Sequence, residues 1–131
     1  FWLKPLINQS CFLSVKLGSL LADAMPVRHV VMFGIKDDAT EEQIAALKDG
    51  LLALPTKIPS ITSHVLGVDL KLPSGQSHPA GKNRSIMWQA DFATVEAYEE
   101  YATHADHVAC ITECIKPIME PGSRAAMQFE V

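Results

Sequence analysis

The side chains best suited to chemistry crowd into one short stretch of this chain: Tyr101, His104, His107, Cys110 and Cys114. An imidazole has an unperturbed pKa of about 6.5, so a neutral His107 could accept a proton close to working pH. The hydroxyl of Tyr101 could hydrogen-bond a carbonyl and stabilise the enolate that forms when the neighbouring carbon loses its proton. His29, far earlier in the chain, could orient either group or hold a water. Together these residue types suit proton abstraction α to a carbonyl, followed by aldol-type closure. Only contacts that strengthen in the transition state would count as catalysis.

Each of these residues also has a structural use. A His at a strand or helix start often satisfies backbone groups, and a His–Tyr pair gives two buried polar groups a partner. His104 suits helix entry or capping. His104, His107, Cys110 and Cys114 follow at spacings of three, three and four, which puts neighbours on adjacent helical turns. Zinc requires four ligands in a tetrahedron, and one straight helix can offer two. No metal or cofactor is expected, and Cys110 and Cys114 read as small core hydrophobes. Tyr98, three before Tyr101, reads as packing. His64 and His78 have no partner that the sequence can name.

The scaffold for these groups is one domain's worth of chain, 131 residues, with 48% hydrophobic and 20% charged residues. That mix is ordinary for a globular protein able to bury a core. The net charge is −4, and no Lys/Arg cluster occurs, which argues against a nucleic-acid-binding face. No apolar run is long enough to span a membrane. The third cysteine is Cys11. An odd, sparse set is no disulfide framework and fits a reducing, cytoplasmic setting.

Residues 1–24 differ in pattern from the rest of the chain. The apolar stretch Cys11 to Leu21 ends in Ala22-Asp23-Ala24, the shape of a signal cleavage site, but Lys16 interrupts it. The segment reads as a stray extension or a targeting signal, and the folded domain is expected over 25–131. Asn8-Gln9-Ser10 and Asn83-Arg84-Ser85 fit the glycosylation sequon, which matters only in a secreted chain.

A strand is expected from Val27 to Ile35, rich in β-branched and aromatic residues, with Val31, Phe33 and Ile35 on one face and Val30 and Met32 on the other. Apolar residues on both faces suit a central strand covered on both sides. Thr40 and Gln43 form a capping box ahead of a helix whose stripe is Ile44, Leu47, Leu51 and Leu54. Pro55 and Pro59 are expected to end it. A second strand is expected over Ile61 to Leu72, with Gly67 a candidate bulge. The loop ending in Gly81-Lys82-Asn83 fails the phosphate-loop pattern, because Gln76 and Asn83 stand where Gly and Ser/Thr belong.

Arg84 to Phe92 alternates, with Ile86, Trp88, Ala90 and Phe92 on one face. Thr94 caps a short helix, and a further helix after Asp106 carries Val108, Ile111 and Ile115 inward until Pro117 stops it. A last strand is expected from Arg124 to Val131. The order β-α-β-β-α(α)-β is the ferredoxin-like unit: an α+β fold with a four-stranded antiparallel sheet and helices on one face. The apolar residues on the other face call for a second copy of the sheet, a homodimer.

Val27-Arg28-His29-Val30-Val31, Thr40-Glu41-Glu42-Gln43, Tyr101-Ala102-Thr103-His104-Ala105-Asp106-His107-Val108 and Ile115-Lys116-Pro117-Ile118 resemble, in this order, the stress-responsive α/β-barrel (Dabb) family. The likeness spans 25–131. It implies a dimeric α+β barrel built from two sheets packed face to face. Some members are stress-induced, stable homo-oligomers, and one plant member is a polyketide cyclase of the olivetolic acid type, acting through a Tyr and a His of this signature. The matching positions are Tyr101 and His107, with His29 on the first strand. Ile86 matches a cavity His of the cyclase, and Trp88 and His104 would border the same space. Asp106 and Ala105 depart from the signature, the latter standing where Pro is usual. The resemblance therefore implies a small-molecule pocket with lyase- or cyclase-like acid–base chemistry on a carbonyl substrate. The alternatives are a non-catalytic stress-related homo-oligomer and, by fold analogy, a dimeric α+β barrel monooxygenase.

Overall fold

A computed structural model describes residues 24–75 and 83–131. The expected N-terminal extension, with Cys11 and the first sequon, lies outside the described residues apart from Ala24, as do His78 and Gly81-Lys82. The elements run β1 (Val27–Phe33), α1 (Glu41–Lys57), β2 (Ile61–Val68), β3 (Ile86–Phe92), α2 (Val95–Thr103), α3 (Ala105–Cys110), a π-helical turn (Ile111–Ile115) and β4 (Ala125–Glu130). The four strands form one antiparallel sheet in the order β2-β3-β1-β4. This is the ferredoxin-like arrangement. Among the described residues no helix is long and apolar enough to cross a membrane.

The strands bury one face because their side chains alternate. On β3, Ile86, Trp88, Ala90 and Phe92 are buried and the residues between them are not. Val27, His29, Val31 and Phe33 of β1 stand opposite these four. Leu47, Leu51 and Leu54 of α1 pack onto that face, with Ile58, Tyr101, Cys110 and Ile118 closing the core. The capping box of α1 is formed: Gln43 N–H donates to Thr40 Oγ1, and Thr40 N–H donates to Gln43 Oε1. Thr94 caps α2 by accepting from Ala97 N–H.

Several details differ from expectation, among them the end of β2, at Val68 rather than Leu72. Pro55 lies inside α1, which continues to Lys57. A proline there removes one amide donor, while Ile58 N–H still closes on the Leu54 carbonyl and Thr56 Oγ1 donates to the Ala53 carbonyl. The irregularity in β2 falls between Ile61 and Ser63, not at Gly67, which pairs with Met87; there the Thr62 hydroxyl donates to the Asp91 carbonyl and the Ser63 hydroxyl to the Asp91 carboxylate. Val108 faces outward, 48% exposed. The bond from Lys116 N–H to the Ile111 carbonyl spans five residues, a π-helical spacing. The residues of this stretch that face the core or the cavity are His107, Cys110, Ile111 and Ile115.

Candidate functional site

The helices seal the sheet over β3 and much of β1, but every residue of β4 remains exposed. At the edge of that cover a cavity of about 240 Å³ opens between β1 and the α2–α3 corner. His29, Val31 and Phe33 of β1 line it, facing Tyr98 of α2 and His107 of α3. Ile111, Ile115 and Met119 make the rest of its apolar surface, and Lys116 and Arg124 bring two cations to it. Sequence periodicity could not place this gap, since it depends on where short helices stop above a sheet.

His107 owes its position to the break between α2 and α3. His104 ends α2 and caps α3, its Nδ1 accepting from Asp106 N–H at 3.2 Å. The chain re-enters a helix at Ala105, two residues before His107, and the ring folds back over α2. There His107 Nδ1 lies 3.2 Å from the Ala102 carbonyl. A carbonyl oxygen only accepts, so Nδ1 carries the hydrogen and Nε2 keeps the lone pair. Burial lowers the His107 pKa, against the Ala102 bond that raises it, and Arg124 and His104 lower it further. The ring is therefore neutral at pH 7, with one free basic nitrogen.

His29 is the buried polar floor, 5% exposed. With the amide as oriented, Gln128 Nε2 donates to His29 Nδ1 at 2.8 Å, across the β1–β4 pairing. Burial pushes its pKa down to about 4; His107 and Arg124 add to the drop, and a bond at Met127 opposes it. Two neutral imidazoles thus serve one cavity by different means: His29 is pinned from β4 and His107 from its own helix.

The tyrosines divide differently from expectation. Tyr101 stacks on His107, ring centroids 4.1 Å apart, and so fixes the imidazole plane. Its hydroxyl turns away into the core and accepts a hydrogen bond from Trp88 Nε1 at 3.2 Å. Burial drives the Tyr101 pKa upward. The tyrosine that lines the cavity is Tyr98, whose ring lies 5.5 Å from His29 and whose hydroxyl has no hydrogen-bond partner among the described residues. The sequence reads Tyr98 as packing, although its spacing of three from Tyr101 puts it on the same helix side.

Trp88 is a sealed core residue, 1% exposed, and Ile86 lies away from His107. Ile86 instead borders a larger cleft of about 660 Å³ at the far end of the sheet, lined by Lys36, Lys48, Asp69 and Lys71 among others. That cleft is bigger but brings together neither histidines nor tyrosines, whereas the smaller cavity is lined by His29, His107 and Tyr98. His104 acts as a cap. Cys110 is buried, its pKa raised to about 11 by desolvation and the neighbouring Cys114, and it sits against Gly50, where an added Cβ would meet Cys114 Sγ at 3.1 Å. Among the described residues, no group of three or more His, Cys, Asp and Glu side chains is placed to hold a metal ion.

Known proteins share this architecture. A family model described as the stress responsive A/B barrel domain matches residues 27–131. No curated protein matches the chain. A dimeric ferredoxin-like protein of unknown function from Thermobifida fusca is 29% identical with a TM-score of 0.68, covering 82% of this chain and 92% of that one. A dimeric protein of unknown function and ferredoxin-like fold from Bacteroides fragilis is 27% identical with a TM-score of 0.62, covering 81% and 96%. The hydroxynitrile lyase of Passiflora edulis is 18% identical with a TM-score of 0.69, covering 82% and 94%; at that identity the likeness is one of fold.

Proposed function

The chain belongs to the stress responsive A/B barrel domain family, and on that footing we propose that it is a homodimer in which each subunit carries a small-molecule pocket, with His107 the general base acting on a carbonyl compound. One observation carries the chemistry: His107 commits Nδ1–H to the Ala102 carbonyl, which leaves Nε2 as a neutral acceptor on a ring that lines a largely apolar cavity. Tyr98 supplies the hydroxyl that meets the substrate oxygen as negative charge builds there. Tyr101 positions the base by stacking, and His29 forms the polar floor. The scheme uses only these side chains and needs no cofactor.

Proton abstraction α to a carbonyl is read directly as loss of the α-proton signal in D2O. Aryl ketones and keto acids are the probes, followed by NMR with wild type and His107→Ala. A general base contributes about 10²–10⁴-fold, so exchange should fall by that factor in His107→Ala while the fold persists. Equal exchange by the two proteins would remove His107 from the chemistry.

A second reading, a homo-oligomer without catalysis, draws on the uncovered face of the sheet. Met32, Val65, Met127 and Phe129 are all large, apolar and exposed there. Two relatives at 27–29% identity are described as dimeric, and a twofold pairing of this face would cover the patch. Loss of the dimer in Met127→Glu, with His107→Ala silent in every exchange assay, would favour this reading over the first.

A further inference from the structure

The cavity holds two cations and no carboxylate. Its lining includes Lys116 and Arg124 but no Asp or Glu, and its ring groups His29, His107 and Tyr98 are neutral at pH 7. Neither cation has an ion-pair partner among the described residues, where the pairs are Arg28–Asp91, Lys57–Asp106 and His104–Asp106. An uncompensated positive field over an apolar pocket attracts an anion.

Arg124 is also held in place for the task. It immediately precedes β4, on the same alternation as Ala126 and Gln128, which pair with Val31 and His29 on the helix-covered face. The residue before it, Ser123, is 6% exposed. Its Oγ accepts from Gly34 N–H at 2.9 Å and donates to the Glu120 carbonyl at 2.6 Å. Gly122 takes a φ of +73° to make this turn, a conformation open to glycine. The backbone from which Arg124 projects is thus tethered by part-buried hydrogen bonds to Gly34, just past β1, and to Glu120. Burial lowers the pKa of His29 and His107 and Arg124 adds to both, while at Tyr98 burial raises the pKa and Arg124 opposes it, so its charge acts on all three polar rings.

Resting on the general-base reading above, we infer that the pocket takes a carboxylate-bearing carbonyl compound about one aromatic ring in size, its carboxylate held by Arg124 and Lys116 and its α-carbon presented to His107. The arginine fork matches a carboxylate in a two-bonded geometry that lysine lacks. At about 240 Å³ the cavity lies below the roughly 300–1,000 Å³ usual for drug-sized ligands, which limits the substrate to a ring with a short side chain. Val31, Phe33, Ile111 and Met119 would enclose that ring.

The test is calorimetric titration of phenylpyruvate and its methyl ester into wild type, Arg124→Gln and Arg124→Lys, with α-proton exchange recorded for both probes. Wild type should bind the acid about tenfold or more tightly than the ester, a preference of about 1.4 kcal/mol. Arg124→Gln should bring the two level, and Arg124→Lys should retain part of the preference. Equal affinities in wild type, binding of neither probe, or a preference that survives Arg124→Gln would overturn the carboxylate assignment. The two readings fail separately. If only the carboxylate assignment is wrong, acid and ester exchange alike and both depend on His107; if only the base is wrong, the acid is preferred without exchange.

Discussion

On the helix-covered face of the sheet Ile86, Trp88, Ala90 and Phe92 are each no more than 2% exposed, whereas on the other face of the same sheet Met32, Val65, Met127 and Phe129 are 40–60% exposed. Both faces carry large apolar side chains, although the open one also holds the Arg28–Asp91 ion pair and Gln89, and their strands obey the same alternation. The difference is that the described helices cover one face only. A buried large side chain is stabilised by roughly 1.5–3 kcal/mol. The covered face collects that stabilisation within the subunit, and under the proposed dimer the open face collects it between subunits. The exception on the covered side is instructive. Where the helices thin out above β1, polar His29 takes the buried position, and the cavity forms beside it.

Truncating the covered face should cost most. Trp88→Ala removes a core indole and leaves the Tyr101 hydroxyl without its donor, so the subunit should lose about 3–5 kcal/mol of unfolding free energy, read from urea melts. A loss below about 1 kcal/mol would mean that the covered face is not the subunit's core.

Acid should strike the same face at its polar position. His29 has a folded-state pKa of about 4 against an ordinary 6.5. Between those values the unfolded chain binds the proton and the folded chain does not, so stability falls as pH drops from about 6.5 to about 4. Below that range both states are protonated and this group adds no further loss. The total for His29 is roughly 3 kcal/mol. His29→Gln should flatten the pH dependence over that window, and identical profiles for the two proteins would show that His29 already carries its proton when folded.

The smallest effect on the subunit itself is expected on the open face. Met127→Glu sits on an exposed strand position and should alter subunit stability by no more than about 0.5 kcal/mol, while sedimentation reports a halved mass. A stable dimer in Met127→Glu would move the interface elsewhere. A collapse comparable to that of Trp88→Ala would erase the distinction between the faces.

Much of the fold is legible along the chain because it is written in local patterns. The alternation of β3, the Thr40–Gln43 capping box, the leucine stripe of α1 and the Thr94 cap each involve residues only a few positions apart. Local patterns mislead where a distant residue intervenes. The irregularity of β2 falls beside Thr62, where the Thr62 and Ser63 hydroxyls bond to Asp91, and Val108 faces outward. The site is legible in part. His107 and His29 line one cavity, as their types suggest, but Tyr98 and Tyr101 share a helix side and a residue type. Which hydroxyl meets the cavity is decided by the indole of Trp88, thirteen positions away.

By itself, then, the sequence determined the element order, the capping and the buried set of β3, because backbone periodicity and local hydrogen bonds act over a few residues. It also singled out His107 and His29, which the structure places on one cavity. Only the tertiary structure decided that Gln128 pins His29, that Tyr98 rather than Tyr101 lines the cavity, and that Arg124 overlooks it. These contacts join residues from opposite ends of the chain. They depend on sheet register and on where short helices stop above it, which no local pattern encodes.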